Sequence, residues 1–376
     1  MDSRVDLLYR KKHFGPTVAR PAPPTSAPGR TSEKAAEAAP QSISDLIAGF
    51  AGLTIVPSPP EIENTAPPPC PISSLPEELL VHILRDVALL DVGDFNRLSR
   101  VCKRFAYLVV TEERIWRRVC EGPEFGFGGM HYRFQREVAW GPLPIAEVPG
   151  DGSSHLTSDQ DWAEREWREK QLTTKALFPR LYGSSWRQMF RTRPRMRFNG
   201  CYISTVNYIR TGVANANHIT WNSPIHIVTY YRYLRFFRDG TVISLLTTSE
   251  PGDVVHYLTK DLLELHRGGG ALHLPSTVMS NALKGRWRLS SADDNPDAPL
   301  DEIEGDMYIE TEGVGPKYIY RMELSLRSAG KGARNNKLAW RGFYSYNKLT
   351  DDWGEFGLKN YKPFFFSRVR SYGAGE

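Results

Sequence analysis

Leu75-Pro76-Glu77-Glu78-Leu79-Leu80-Val81-His82-Ile83-Leu84 opens the stretch that decides the architecture. It continues through Leu98-Ser99-Arg100-Val101-Cys102-Lys103-Arg104-Phe105 to Ile115-Trp116-Arg117. Leu75, Leu79, Leu80, Ile83, Leu84 and Val87 recur at helical spacing and form a broad apolar stripe. Ser74 and Glu77 stand at the spacing of a capping box, with Pro76 where a first helical turn tolerates it. Asp91 to Gly93 supplies a break, after which Phe95, Leu98, Val101, Cys102, Phe105 and Leu108 predict a second helix. A short third one holds Ile115 and Trp116. Three helices of this length cannot enclose so many leucines and isoleucines by themselves. An apolar patch therefore stays exposed, which is the mark of an interface.

Downstream, residues 161 to 193 read as helical and polar, with Trp162, Trp167 and Trp186 as isolated anchors. After Pro194 the apolar period changes from 3.6 to 2. Met196-Arg197-Phe198, Asn199-Gly200 and Tyr202-Ile203 read as strand, turn, strand. Val228 to Phe237 and Thr241 to Leu246 flank Arg238-Asp239-Gly240, a strong hairpin signal. Further strands are expected at Gly285 to Leu289, Asp306 to Thr311, Lys317 to Leu326, Lys337 to Tyr346 and Pro363 to Val369. About eight strands with turns between them predict an antiparallel barrel or sandwich. Upstream, residues 15 to 71 are dominated by Pro, Ala, Ser and Thr and read as a flexible linker. One apolar island, Ile43, Leu46, Ile47, Phe50, Leu53 and Ile55, reads as a short helix resting on a neighbouring domain.

The ordered series from the Leu75-Pro76 opening through Leu98-x-x-Val101-Cys102 to the closing Trp116 resembles the F-box. Ser185-Trp186-Arg187-Gln188-Met189-Phe190, Arg193 to Ser204, Tyr230 to Gly240 and Pro363 to Tyr372 resemble the F-box only protein nine family, so that the likeness runs from near Ser42 to Tyr372. The resemblance implies an F-box that binds a Skp-type adaptor, and through it a cullin and a RING subunit. The adaptor-binding residues would be Leu75, Pro76, Leu79, Leu80, Ile83, Leu84, Leu98, Val101, Cys102, Phe105 and Trp116. It also implies an N-terminal helical repeat module, of which Val5-Asp6-Leu7-Leu8-Tyr9-Arg10-Lys11-Lys12-His13-Phe14 resembles only the tail. The chain is expected either to be naturally short or to have its start codon placed too far downstream.

The organisation expected is therefore an α+β multidomain chain. Residues 1–71 form a mostly disordered region with the island at 42–56, and residues 72–120 a three-helix F-box. Residues 121–193 form a helical or irregular connector, and residues 194–372 a mainly antiparallel, calycin-like or lipocalin-like β barrel with a core separate from that of the F-box. Gly285-Arg286-Trp287 resembles the Gly-x-Trp start of lipocalin-type barrels.

The rest of the sequence excludes more than it offers. In 376 residues, 40% are hydrophobic and 11% aromatic, enough for a sizeable core, while 48 Lys and Arg against 43 Asp and Glu leave only +5. That is too dilute for a general nucleic-acid binder. The alternating Arg191, Arg193, Arg195 and Arg197 read as a solvated strand face rather than a phosphate grip. Cys70, Cys102, Cys120 and Cys201 stand far apart, so neither a disulfide framework nor a zinc module is written; the thiols should be reduced and the protein cytoplasmic, nuclear or both. No apolar run is long enough for a membrane span. His218 and His226 lack a third ligand, Gly268-Gly269-Gly270 lacks the phosphate-loop lysine, and no nucleophile elbow appears. The expectation is a non-catalytic substrate receptor of a Skp, cullin and F-box ubiquitin ligase without cofactor, its target protein unidentified. The rival is a barrel that carries a small apolar ligand, with the F-box serving regulation.

Overall fold

The fold comes from a computed structural model that describes residue 55 and residues 70–143, 159–211, 225–267, 269, 271–294, 296–330 and 334–375. The linker at 15–69 apart from Ile55, His218, and Gly268 and Gly270 lie outside the described residues, as does the side chain of His226.

Helix α1 (Glu77–Leu90) buries Leu80, Leu84 and Ala88, four residues apart, and carries Glu77 and Glu78 in its first turn, where the helix dipole favours acids. The capping box does not form. Pro76 takes the N-cap position without a side-chain bond, and Ser74 closes the preceding 3₁₀ turn (Pro71–Ser74) by donating to the Pro71 carbonyl at 2.7 Å. The expected second helix is two helices, α2 (Val92–Leu98) and α3 (Lys103–Thr111), each with its own cap. Asp91 Oδ1 accepts from the Gly93 amide at 2.7 Å, and Cys102 Sγ accepts from the Phe105 amide at 3.5 Å. With α4 (Glu113–Glu121) the module has four helices rather than three.

The polar stretch after the module forms α5 (Asp159–Tyr182) and α6 (Trp186–Thr192), parted by Gly183 and Ser184 in left-handed conformation at φ 56° and 57°. Trp186 stacks near Phe178 at 4.4 Å, but Trp167 is exposed and anchors nothing. His131 joins α5 to the barrel. Its Nδ1 lies 3.4 Å from Glu166 Oε1 and its Nε2 meets the Arg238 carbonyl. Burial works to raise the Glu166 pKa, yet the hydrogen bond with His131 and the Lys170 ammonium at 2.9 Å overcome it and hold the carboxyl down to about 2. That carboxylate therefore stabilises the fold fully above its unfolded value of about 4.3, and the contribution fades as pH falls towards about 2. Glu166→Gln is expected to lower stability by on the order of 2 kcal/mol at pH 7. Paired thermal melts of the two proteins should converge as the pH is taken below about 4; a gap that stays constant would dissociate the effect from this carboxylate.

Among the described residues, nine antiparallel strands follow: β1 (Gly200–Thr211), β2 (Ile225–Phe236), β3 (Thr241–Thr247), β4 (Leu283–Leu289), β5 (Asp306–Glu312), β6 (Tyr318–Arg327), β7 (Lys337–Asn347), β8 (Asp352–Glu355) and β9 (Phe364–Arg368). Strands β1 to β6 pair in sequence order. β7 pairs with β6, β9 pairs with both β7 and β1, and an eight-stranded barrel closes, with β8 on the free edge of β7. The hairpin at Asp239-Gly240 forms as expected, with Phe236 opposite Val242 and Gly240 at φ 83°. Asn199-Gly200 is not a turn. Gly200 begins β1 beside β9, where a Cβ would come within 2.2 Å of the Ser367 carbonyl, so the residue is needed for close approach. Trp287 of the Gly-x-Trp triplet stands on β4 and is fully buried in the barrel, its Nε1 donating to the Phe237 carbonyl at 3.0 Å.

The barrel interior is filled by side chains. Tyr202, Leu234, Phe236, Val242, Trp287, Leu289, Ile309, Leu324, Leu338 and Phe364 are all buried there, and a ligand would have to displace them. The same cluster runs on through Phe198, Met196, Met130 and Phe127 to Trp116, Phe95, Leu84 and Leu80. The separate cores expected for the F-box and the β domain are thus one continuous core. A second cluster lies on the outer face of β1 to β3, where Tyr233, Ile243 and Leu245 are covered by a short helix α7 (Pro251–Val254), helix α8 (Lys260–Arg267) and the C-terminal Val369 and Tyr372. Ile55, from the apolar island, is part-buried against the first cluster.

Candidate interaction surface

The apolar stripe of α1 divides between two faces. Leu80 and Leu84 point into the core with Phe105 and Trp116, while Leu79 is 50% and Ile83 45% exposed, one turn apart, and Pro76 precedes them on the surface. Val101, in the turn between α2 and α3, is 66% exposed. Arg104, one turn beyond it, donates to Glu77 at 3.0 Å and ties the start of α3 to the start of α1. Leu75, Leu98 and Cys102 are part-buried between these layers. Of the residues singled out from the sequence, Pro76, Leu79, Ile83 and Val101 are therefore available to a partner. Leu80, Leu84, Phe105 and Trp116 hold the helices that present them.

Leu90, also strongly exposed at the far end of α1, lies seven residues after Ile83 and three after Val87 and so extends the stripe beyond the six positions singled out from the sequence.

Trp116 seals the helical module against α6. Its ring lies 5.4 Å from Phe95 and 5.6 Å from Phe190 of α6, and its Nε1 donates to the Val109 carbonyl at 2.7 Å. Glu113 accepts from the Ser185 hydroxyl at 2.9 Å and the Trp186 amide at 2.7 Å, so α4 caps α6 directly. A buried ion pair lies deeper. The Arg193 guanidinium, 1% exposed, forks onto Glu304 at 2.7 Å through both Nε and Nη2, and its other donors reach Thr174 of α5 at 3.0 Å and Tyr132 at 3.1 Å. Arg193 is thus neither solvated nor part of a strand face, which corrects the reading of the alternating arginines.

Four reduced cysteines are present. Burial pushes the thiols of Cys120 and Cys201 up to about 12, which leaves neither a nucleophilic thiolate at neutral pH. Among the described residues no group of His, Cys, Asp and Glu could hold a metal ion, and no helix is long and apolar enough to cross a membrane.

Comparison with known proteins agrees with this geometry. Residues 72–122 match the F-box-like family model, and residues 175–352 match that of the F-box only protein C-terminal region. The chain thus carries an F-box-like region followed by one similar to the C-terminal region of F-box only proteins. Over 340 residues it is 27% identical to the F-box protein pof7 of Schizosaccharomyces pombe, covering 88% of this chain and 76% of that protein. It is 26% identical over 311 residues to the F-box protein HRT3 of Saccharomyces cerevisiae, covering 82% of this chain and 73% of the relative. No solved structure matches it.

Proposed function

We propose that this chain is the non-catalytic substrate receptor of a Skp, cullin and F-box ubiquitin ligase, acting in the cytoplasm, the nucleus or both. The Skp-type adaptor would cover Pro76, Leu79, Ile83 and Val101, and the β domain would hold a target protein for ubiquitin-dependent degradation. The observation that carries the reading is the exposed pair Leu79 and Ile83 on a helix whose opposite side is already buried. Apolar side chains aligned on one face and left in water favour a partner surface, each contributing about 1.5–3 kcal/mol once fully covered. Leu79→Ala with Ile83→Ala is expected to abolish capture of the adaptor while the melting temperature stays within a few degrees of the parent, since neither side chain is in the core. Undiminished co-purification of adaptor with the double variant would remove the reading.

For the target, the ribbon formed by the far ends of β1 and β2 is the favoured surface. Val206 stands opposite Tyr230 and Tyr208 opposite Val228, so that Tyr208 and Tyr230 share one face, while Ile227 stands on the other. All three are exposed, and aromatic residues in such positions are the usual anchors of an interface. Tyr208→Ala with Ile227→Asp should cut recovery of ubiquitinated target at least severalfold and leave adaptor binding intact. Equal recovery from both proteins would move the target surface elsewhere.

A further inference from the structure

Between the start of α2, helix α6, the entry to β1 and the end of β9 lies a pocket of about 700 Å³. Its wall carries six arginines, Arg187, Arg191, Arg195, Arg197, Arg334 and Arg368, against only two acids, Asp91 and Glu124. Both acids are already engaged. Asp91 pairs with Arg368 at 2.5 Å, and Glu124 takes a two-pronged contact from Arg118 at 2.9 and 3.2 Å. Among the described residues, none of the other five arginines has a carboxylate within ion-pair distance.

Arg187 and Arg191 are four residues apart on α6 and therefore share a face, an arrangement that repels. Arg195 lies over the Phe190 ring at 3.8 Å and gives its hydrogens only to the carbonyls of Phe190 at 3.3 Å and Phe125 at 3.1 Å. Burial, and then the charge of Arg197, hold its pKa down to about 9. The buried Nε of Arg197 has no acceptor. A fold that gathers like charges around a cavity and leaves them without counter-ions carries a cost that a bound anion offsets.

We propose that this pocket binds a small, soluble, multiply phosphorylated anion at the junction of the F-box and the barrel. The volume falls in the range of small-ligand sites. The pocket's surplus of four positive charges decides the class of ligand. One phosphoryl group carries about −1.5 to −2 at neutral pH and would neutralise at most half of it, whereas several phosphates on one scaffold would match it. Guanidinium forks suit phosphate oxygens in pairs. The proposal rests on the pocket alone and stands or falls independently of the ligase reading.

The test uses the full chain and three probes, inositol hexakisphosphate, pyrophosphate and a singly phosphorylated serine peptide, by calorimetric titration and thermal shift in ~0.1 M salt. The hexakisphosphate is expected to bind and raise the melting temperature, pyrophosphate to bind more weakly, and the peptide weakest of all. Arg191→Glu with Arg334→Glu, both at exposed positions, should weaken the hexakisphosphate by about tenfold or more, while Lys348→Glu with Lys359→Glu, an equal change of charge elsewhere, should not. Absence of hexakisphosphate binding, or the same loss in both double variants, would overturn the site. Tighter binding of the peptide would overturn the assignment to a small ligand and give the surface to a phosphorylated protein. The circular dichroism spectrum of each variant establishes that it is folded before affinities are compared.

Discussion

Glu304→Ala is expected to lower the folding free energy by about 3–5 kcal/mol, a large part of what a domain of this kind possesses. The carboxylate accepts both prongs of Arg193 at 2.7 Å, and its removal strands a guanidinium that is 1% exposed and has only Thr174 and Tyr132 left as polar side-chain partners. Because those partners belong to α5 and to the segment after α4, while Asn335 donates to the Arg193 carbonyl at 2.9 Å, the loss reaches both the barrel and the helices. The companion experiment replaces the pair with apolar residues of similar size, Arg193→Met with Glu304→Leu. Such swaps are often neutral because no charge is left behind, so much of the lost stability should return in urea titrations. A double variant as unstable as Glu304→Ala alone would show that the cost lies in packing and not in the stranded charge.

Removing Pro363 to Glu376 is the second large effect. Strand β9 is the joint of the barrel, pairing Phe366 with Tyr202 on one side and Phe364 with Leu338 on the other. Phe364 is fully buried, and Val369 and Tyr372 cover the outer cluster. Its loss opens two unpaired edges and both clusters together. Cooperative melting of the β domain should disappear. Since the barrel interior runs on into Trp116 and Leu84, adaptor capture by the truncated full chain should fall as well, in contrast to what two separate cores would give. Retention of the parental melting midpoint would refute the closing role of β9. Retention of full adaptor binding would show that the helices hold their shape without the barrel.

What the sequence disclosed and what it hid differ by the range of the interaction. The α1 stripe and the Asp239-Gly240 hairpin are set by spacing and by residues next to each other, and both formed where the pattern placed them. The break between α2 and α3 was invisible because the apolar spacing runs straight through it, while the caps at Asp91 and Cys102 depend on geometry. Strand β8, with four exposed residues, has no buried side to alternate with. Helix α8 is held by covering the outer face of the sheet and by tertiary contacts such as Lys260 with Asp239 at 2.6 Å, none of which its own spacing announces. The alternating arginines show the limit most sharply. Four similar positions have different fates: Arg193 is buried by a partner 111 residues away, while Arg191, Arg195 and Arg197 face a cavity whose other walls come from α2, β9 and Arg334. The exposed surface of α1 was legible as a stripe too wide for three helices to hide, but which leucines face outward was not, since that depends on where α4 and α6 lie.

The unbroken run of buried side chains from Leu84 to Phe364 also fixes a distance. Domains joined by a flexible tether sample a cloud of separations and angles, and a cargo on one can swing towards an enzyme on the other. Here the helices that present Leu79 and Ile83 and the barrel from which the β1–β2 ribbon extends share one buried core. If the ribbon holds a target as proposed, a protein seated on it would present the same few of its own lysines each time it docks, so that the geometry of the cargo, more than the sequence around any lysine, would decide which one is within reach.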